Sequence, residues 1–246
     1  VVDPETRHAH KTVHRRQDGF KAHVAVEPDT GLVTACELTK ASGAEASDGA
    51  TGIRLLDADT SVEDEHVQVL GDSAYATGDC LAAITGAGHE PLVKPKPSKP
   101  AVEGGFHTDE FTVDEAAGTA TCPNGVTRRI SKTRAVTFGI ACRDCPLRLR
   151  CTTAVKGRIL QLHPQDALMR EQRQRAKDPA WKADYRQHRP MVERSIAWLV
   201  AGGNRKVRYR GIAKNNAWLH TRTAALNLRR LLNLGLDRND GAWVLG

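Results

Sequence analysis

Acids and thiols are the side chains in this sequence whose types and spacing could do chemistry. Asp72 ends the apolar stretch Val67 to Leu70 in Gly71-Asp72-Ser73. Strand ends in open α/β sheets are where ligands and catalytic groups collect, although an Asp so placed can equally cap the following helix. Glu193 borders an apolar stripe of Val192, Ile196, Leu199 and Val200 on an expected helix. A glutamate at the edge of such a stripe is, in the ordinary case, only a boundary residue. Asp3 follows Val1-Val2 and could end a further strand. Cutting a phosphodiester at neutral pH needs an activated water, a stabilised leaving oxygen and screening of the phosphate charge. Two Mg²⁺ (or Mn²⁺) ions about 3.5–4 Å apart supply all three. Such hard cations take carboxylate oxygens, so three acids from distant parts of the chain would suit that task.

The thiols form a second set. Cys122, Cys142, Cys145 and Cys151 follow the pattern Cys-x19-Cys-x2-Cys-x5-Cys. There is no pattern of a secretory signal, so metal binding is expected before disulfides. Four thiolates satisfy a closed structural Zn²⁺ site, and the Cys-x2-Cys knuckle presets two of its corners. Spacing alone leaves open an iron–sulfur cluster, no metal at all, or replacement of one ligand by His107 or His163. Cys36 and Cys80 are expected as small buried hydrophobes.

The charge is uneven. Of 36 Lys and Arg, 21 lie between Arg143 and Arg230 against 6 Asp and Glu, while the remaining residues carry 15 against 23. A basic half joined to an acidic one is the footprint of a polyanion binder, the plainer alternative being solvated helix faces. No apolar run reaches the roughly 18 residues of a membrane span. The chain opens on Val, and Val1-Val2 reads as the end of a strand, so it is expected to begin inside a longer protein.

The elements that must position these residues can be read from periodicity and turn chemistry. Gly19 to Lys40 reads as a β-hairpin around Pro28-Asp29-Thr30-Gly31. A helix is expected over 49–56, a strand over 65–70, a helix over 74–87 and a short strand at Leu92-Val93. Residues 99–163 are expected as a small β-rich insertion, with strands near 111–113, 119–122 and 159–162. It divides residues 1–98 from a helical part, 164–246, with helices over 165–176, 179–187, 190–201 and 213–234 and a loose tail. The fold class is thus α/β, a mixed sheet flanked by helices.

Several segments together resemble bacterial insertion-sequence transposases of the DDE class. They are Val2-Asp3-Pro4-Glu5-Thr6-Arg7, Asp18-Gly19-Phe20-Lys21-Ala22-His23, Gly71-Asp72-Ser73-Ala74-Tyr75, Arg189-Pro190-x-Val192-Glu193-Arg194 and Tyr209-Arg210-Gly211. Cys122-Pro123-Asn124-Gly125, Cys142-x-x-Cys145-Pro146 and Cys151-Thr152-Thr153 are similar to the subgroup with a cysteine-rich insertion. The resemblance implies an RNase H-like catalytic domain with Asp, Asp and Glu around Mg²⁺. Asp72 maps to the second acid, Glu193 to the Glu, and Asp3 to the first unless that acid lies upstream of Val1. It further implies cleavage and strand transfer of double-stranded DNA at the ends of a mobile element, in a homo-oligomeric synaptic complex at the nucleoid of a bacterial cytoplasm. Arg189, Arg194, Arg205, Lys206, Arg148 and Arg150 are the expected DNA contacts. One departure is Val200, where relatives carry Lys. Arg205 and Lys206 follow it closely. The alternative is an inactive or domesticated remnant that binds DNA through a zinc-containing insertion.

Overall fold

The structure, a computed structural model, describes residues 3–12, 15–43, 46–62 and 66–245, with backbone alone at 9–12, 15–17 and 62. Val1-Val2 and Glu65, both expected in strands, lie outside the described residues. The chain divides into two compact units, Val1–Lys94 with Arg175–Gly246, and Pro95–Gln174. Both mix helices with small sheets.

In the first unit β1 (Arg7–Thr12), β2 (Arg15–Val26) and β3 (Val33–Lys40) form an antiparallel sheet in that order. The β2–β3 turn is tied by the Glu27 carboxylate, which accepts from the backbone N–H of Asp29 at 2.9 Å and of Thr30 at 2.7 Å. Gly31 completes it at φ +74°, and Met191 Sδ lies 2.9 Å from where a Cβ would stand, so a larger residue fails on both counts. The helix α1 (Asp48–Ala58) follows, then β4 (Gln68–Gly71), α2 (Gly78–Gly86) and β5 (Glu90–Val93), with β4 and β5 parallel.

The second unit holds β6 (Thr112–Asp114), β7 (Thr119–Thr121) and β8 (Thr127–Arg129) in one antiparallel sheet. β9 (Ala135–Thr137) pairs with a later strand across the short helix α3 (Arg148–Cys151), that strand being β10 (Ile159–Gln161). The helix α4 (Asp166–Arg175) comes last. Phe106, Phe111, Ala120, Val136, Phe138, Leu160 and Leu162 make a core of its own, with Cys142 and Cys151 inside it.

Back in the first unit, α5 runs unbroken from Pro179 to Val200. Two helices were expected there, separated before Pro190. The proline removes one N–H and costs about 3 kcal/mol in a helix interior. Tertiary anchors on both sides override it: Tyr185, Ser195 and Leu199 are buried, and Ser195 Oγ donates to Gly31 O at 3.1 Å. Helix α6 (Ile212–Asn233) packs on β3 and shares with it a core of Val33, Leu38, Leu199, Leu219 and Leu226. Its asparagines satisfy the outer edge of β3. Asn227 accepts from Val33 N at 2.9 Å and donates to Val33 O at 2.8 Å, and Asn216 accepts from Leu38 N at 2.8 Å. An edge covered in this way is closed to further strand pairing. The expected loose tail instead forms a hairpin, β11 (Asp237–Asn239) with β12 (Ala242–Val244). Asp240 and Gly241 both adopt positive φ, 48° and 82°, the turn that Asp-Gly favours. Among the described residues no helix is long and apolar enough to cross a membrane.

Candidate functional site

A cavity of about 770 Å³ opens in the first unit, lined from β2 by Ala22, His23, Val24 and Val26, and from β4 by Val69, Leu70 and Gly71. Helix α1 adds Leu55 and Leu56, and α5 adds Arg189, Val192, Glu193 and Ile196. Asp72 lies on the same wall as β4, so the fold brings Asp72 and Glu193 to one cavity. Asp3 is not among its lining residues.

Asp72 stands one residue past β4 and is exposed. Its Oδ1 accepts from Ala74 N at 2.8 Å and its carbonyl from Tyr75 N at 3.1 Å. This Asx turn displaces the expected helix start at Ala74. Helix α2 begins at Gly78 instead, capped by Thr77, whose hydroxyl accepts from Cys80 N at 3.3 Å. Asp72 is therefore no helix cap, and one of its carboxylate oxygens accepts no hydrogen bond from the described residues.

Tyr75 closes that turn and points into the unit. Its hydroxyl meets His23 Nδ1 at 3.1 Å, and His23 Nε2 meets Thr39 Oγ1 at 3.2 Å. Burial pushes the Tyr75 phenol far above its ordinary range and holds the His23 imidazole below its ordinary value. Both are therefore neutral hydrogen-bonding groups at pH 7.

Glu193 projects from α5 with its carboxylate 2.8 Å from Arg189 Nε, one turn earlier. Arg189 also donates to the Tyr185 hydroxyl, and its guanidinium lies over the Tyr185 ring at 5.6 Å. Tyr185 in turn stacks on Trp181, with centroids 5.3 Å apart and planes 7° from parallel. Residues 181, 185, 189 and 193 thus form one ladder at helical spacing. Composition hid this feature, since it needs the four positions to share a face. A further acid missed from sequence is Asp59, which lines the cavity but accepts from Ser61 N at 3.1 Å and from the Thr34 and Ser61 hydroxyls.

Asp3 is engaged elsewhere in the same unit. Its Oδ2 accepts from Gly211 N at 2.8 Å and its Oδ1 from Glu5 N at 3.0 Å. The Gly211 N–H, then that of Glu5, hold this carboxyl below its ordinary range. Arg194, Arg205 and Lys206 are exposed.

In the second unit Cys122, Cys142, Cys145 and Cys151 all line one cavity of about 20 Å³ with Phe106, Phe111 and Phe138. All four are free thiols. Cys142 Sγ accepts from Arg158 N at 3.4 Å, and Gly157, at φ +85°, leaves no room for a Cβ beside Gly139 O and Cys142. His107 and His163 are not on the lining. His107 Nδ1 meets Ser98 O at 2.5 Å and His163 Nδ1 accepts from Gln165 N at 3.0 Å. Arg148 braces the cysteine loops, donating to Cys142 O at 3.2 Å and Ala154 O at 3.3 Å, while Arg150 lies over the Phe106 ring at 4.7 Å. Among the described residues, no group of three or more His, Cys, Asp or Glu stands at metal-holding distances. The four sulfurs therefore share a cavity without being drawn together.

Residues 121–232 match the family model described as the transposase DDE domain. The matched stretch contains the four cysteines and Glu193 and leaves Asp3 and Asp72 outside it. No curated protein and no solved structure matches the chain.

Proposed function

We propose that this chain, a member of the transposase DDE domain family through residues 121–232, cuts DNA strands and transfers them with the help of divalent metal ions. The observation that carries this reading is that Asp72 and Glu193, 121 positions apart, line one cavity in a unit of mixed sheet and helices. Their exposed carboxylates are hard oxygen donors, the kind Mg²⁺ or Mn²⁺ takes. Once bound between them, such ions would supply an activated water or hydroxyl and a stabilised leaving oxygen. The chain's own contribution is positional. The Asx turn at Ala74 aims Asp72, and the Arg189–Tyr185–Trp181 ladder aims Glu193. Tyr75 and His23, both neutral, fix the turn from beneath without competing for the metal's charge. Arg194, Arg205 and Lys206 contribute phosphate contacts on double-stranded DNA, within a homo-oligomeric complex. Asp3 is the proposed first acid only in the sequence motif; its capping bonds favour a different role, taken up below.

The cysteine cavity fits Zn²⁺ by the chemistry of its donor set, four free thiols lining one small cavity with a backbone N–H already on one sulfur. There the ion would supply cohesion for a small unit rather than chemistry.

The test is strand cutting of a duplex carrying the element's ends under Mg²⁺ and Mn²⁺. Asp72→Asn and Glu193→Gln should abolish cutting while duplex affinity stays within a few fold. A second reading, a non-catalytic DNA-binding remnant, draws on Val200 standing where the resemblance expects Lys. It would prevail if the unaltered protein binds the duplex and cuts it under neither metal.

A further inference from the structure

Between α5 and α6 the chain crosses Arg205-Lys206-Val207-Arg208-Tyr209-Arg210, six consecutive exposed residues. Four are cations, and among the described residues none of the four is in a salt bridge. Tyr209 is 50% exposed, and the Arg208 guanidinium lies 5.7 Å over the Trp218 ring. A solvated loop of this composition is ordinarily held by little. This one is held from two sides.

From inside, Asn215 is 1% exposed and commits its whole amide to the loop. Its Oδ1 accepts from Tyr209 N at 3.1 Å, and its Nδ2 donates to Tyr209 O at 2.7 Å and Gly211 O at 2.8 Å. At the loop's end two carboxylates close on the start of α6. Asp3 accepts from Gly211 N at 2.8 Å, and Glu5 accepts from Ile212 N at 2.9 Å. Carboxylates are favoured at a helix N-terminus, yet here they stand beside a cationic loop that has no ion pair with them. They bind backbone N–H groups at the loop's end and pair with none of its cations, of which Arg208 donates instead to Asn204 Oδ1 at 3.4 Å.

We propose that residues 205–210 are a preset surface for the phosphodiester backbone of double-stranded DNA, and that Asp3, Glu5 and Asn215 are positioning residues that fix its shape. This extends the DNA-binding reading above, on which it rests, from Arg205 and Lys206 to Arg208, Tyr209 and Arg210. It also gives Asp3 a role away from the acid cavity. Cations carried on a backbone tied at Tyr209, Gly211 and Ile212 lose less backbone freedom on binding than those of an untethered loop, which is where preorganised sites gain affinity.

The experiment is duplex binding by fluorescence anisotropy across a salt series, using an oligonucleotide of arbitrary sequence. Arg205→Ala, Arg208→Ala and Arg210→Ala together should flatten the slope of log K against log salt by about two to three, since each phosphate contact contributes about 0.9. The positioning claim is read by Asp3→Ala with Glu5→Ala. Removing two negative charges from a polyanion binder should by itself tighten binding. A several-fold weakening, reversed by Asp3→Asn with Glu5→Gln, which keep an acceptor for each N–H, supports the proposal. Tightened binding in the alanine pair, or an unchanged slope in the triple variant, overturns it. If the unaltered protein binds no duplex, the DNA reading itself fails, and the proposal with it.

Discussion

The acid cavity and the cysteine cavity are built in opposite ways. Asp72 and Glu193 reach their cavity from a strand end and a helix far apart in sequence, and both carboxylates remain exposed around about 770 Å³ of space. The four cysteines come from 30 consecutive residues and line about 20 Å³ inside a local aromatic core. An open site assembled at long range suits chemistry on a large substrate, which must enter and leave. A closed site assembled at short range suits cohesion, because a unit of about 80 residues has little apolar surface to bury.

The sharpest way to break this contrast is at the acids. Asp72→Asn or Glu193→Gln should lower strand cutting by about a thousandfold or more, the scale of losing a group that stabilises developing charge, with melting temperature nearly unchanged. A large loss of stability in either variant would make the acid cavity structural after all. The converse experiment removes the thiols. Cys142→Ser with Cys145→Ser should abolish zinc uptake and leave the second unit open to proteolysis. Structural zinc sites contribute about 10 kcal/mol or more of apparent binding energy to folding. A double variant that stays protease-resistant and unchanged in melting would show that the aromatic core suffices alone.

A smaller effect is expected at Arg148, whose guanidinium bridges Cys142 O and Ala154 O. Arg148→Ala should cost about 1–2 kcal/mol, two hydrogen bonds from a charged donor in a partly exposed setting, read as a lower urea midpoint. Reduced DNA affinity with stability intact would return Arg148 to the DNA surface expected from sequence. The smallest effect concerns pH. Burial holds His23 below its ordinary value of about 6.5. The unfolded chain therefore binds the proton more readily, and the contribution of neutral His23 is complete above that value and lost as pH falls below it. Urea midpoints should decline from pH 7.5 to pH 5.5, and His23→Gln should flatten that decline. An identical decline in the variant would assign it to other groups.

The second unit was largely legible because its signals are local. The Cys-x2-Cys knuckle, the glycine turns and the short strands near 112, 120 and 160 could be read within windows of a few residues. The strands at 127–129 and 135–137 escaped because three residues are too few to show alternation. In the first unit the β2–β3 hairpin was readable from Pro28-Asp29-Thr30-Gly31, whereas β1 was not, because its apolar content is too low to mark a strand. The tail hairpin carries a local turn signal, Asp240-Gly241, but its strands of three residues are too short to show alternation. Pro190 misled: local propensity favoured a break, and packing of Ser195 and Leu199 kept the helix whole.

By itself the sequence determined the α/β class, the basic half, the four-thiol set and the resemblance to DDE transposases, because composition, turn chemistry and the order of motifs are properties of the chain alone. Only the tertiary structure decided which acids line one cavity. Asp72 and Glu193 share a cavity because β4 and α5 pack within one unit. Asp3 went to the first turn of α6 because the unpaired N–H groups of Gly211 and Ile212 needed acceptors there. That outcome depends on contacts more than 200 positions apart, which no local pattern records.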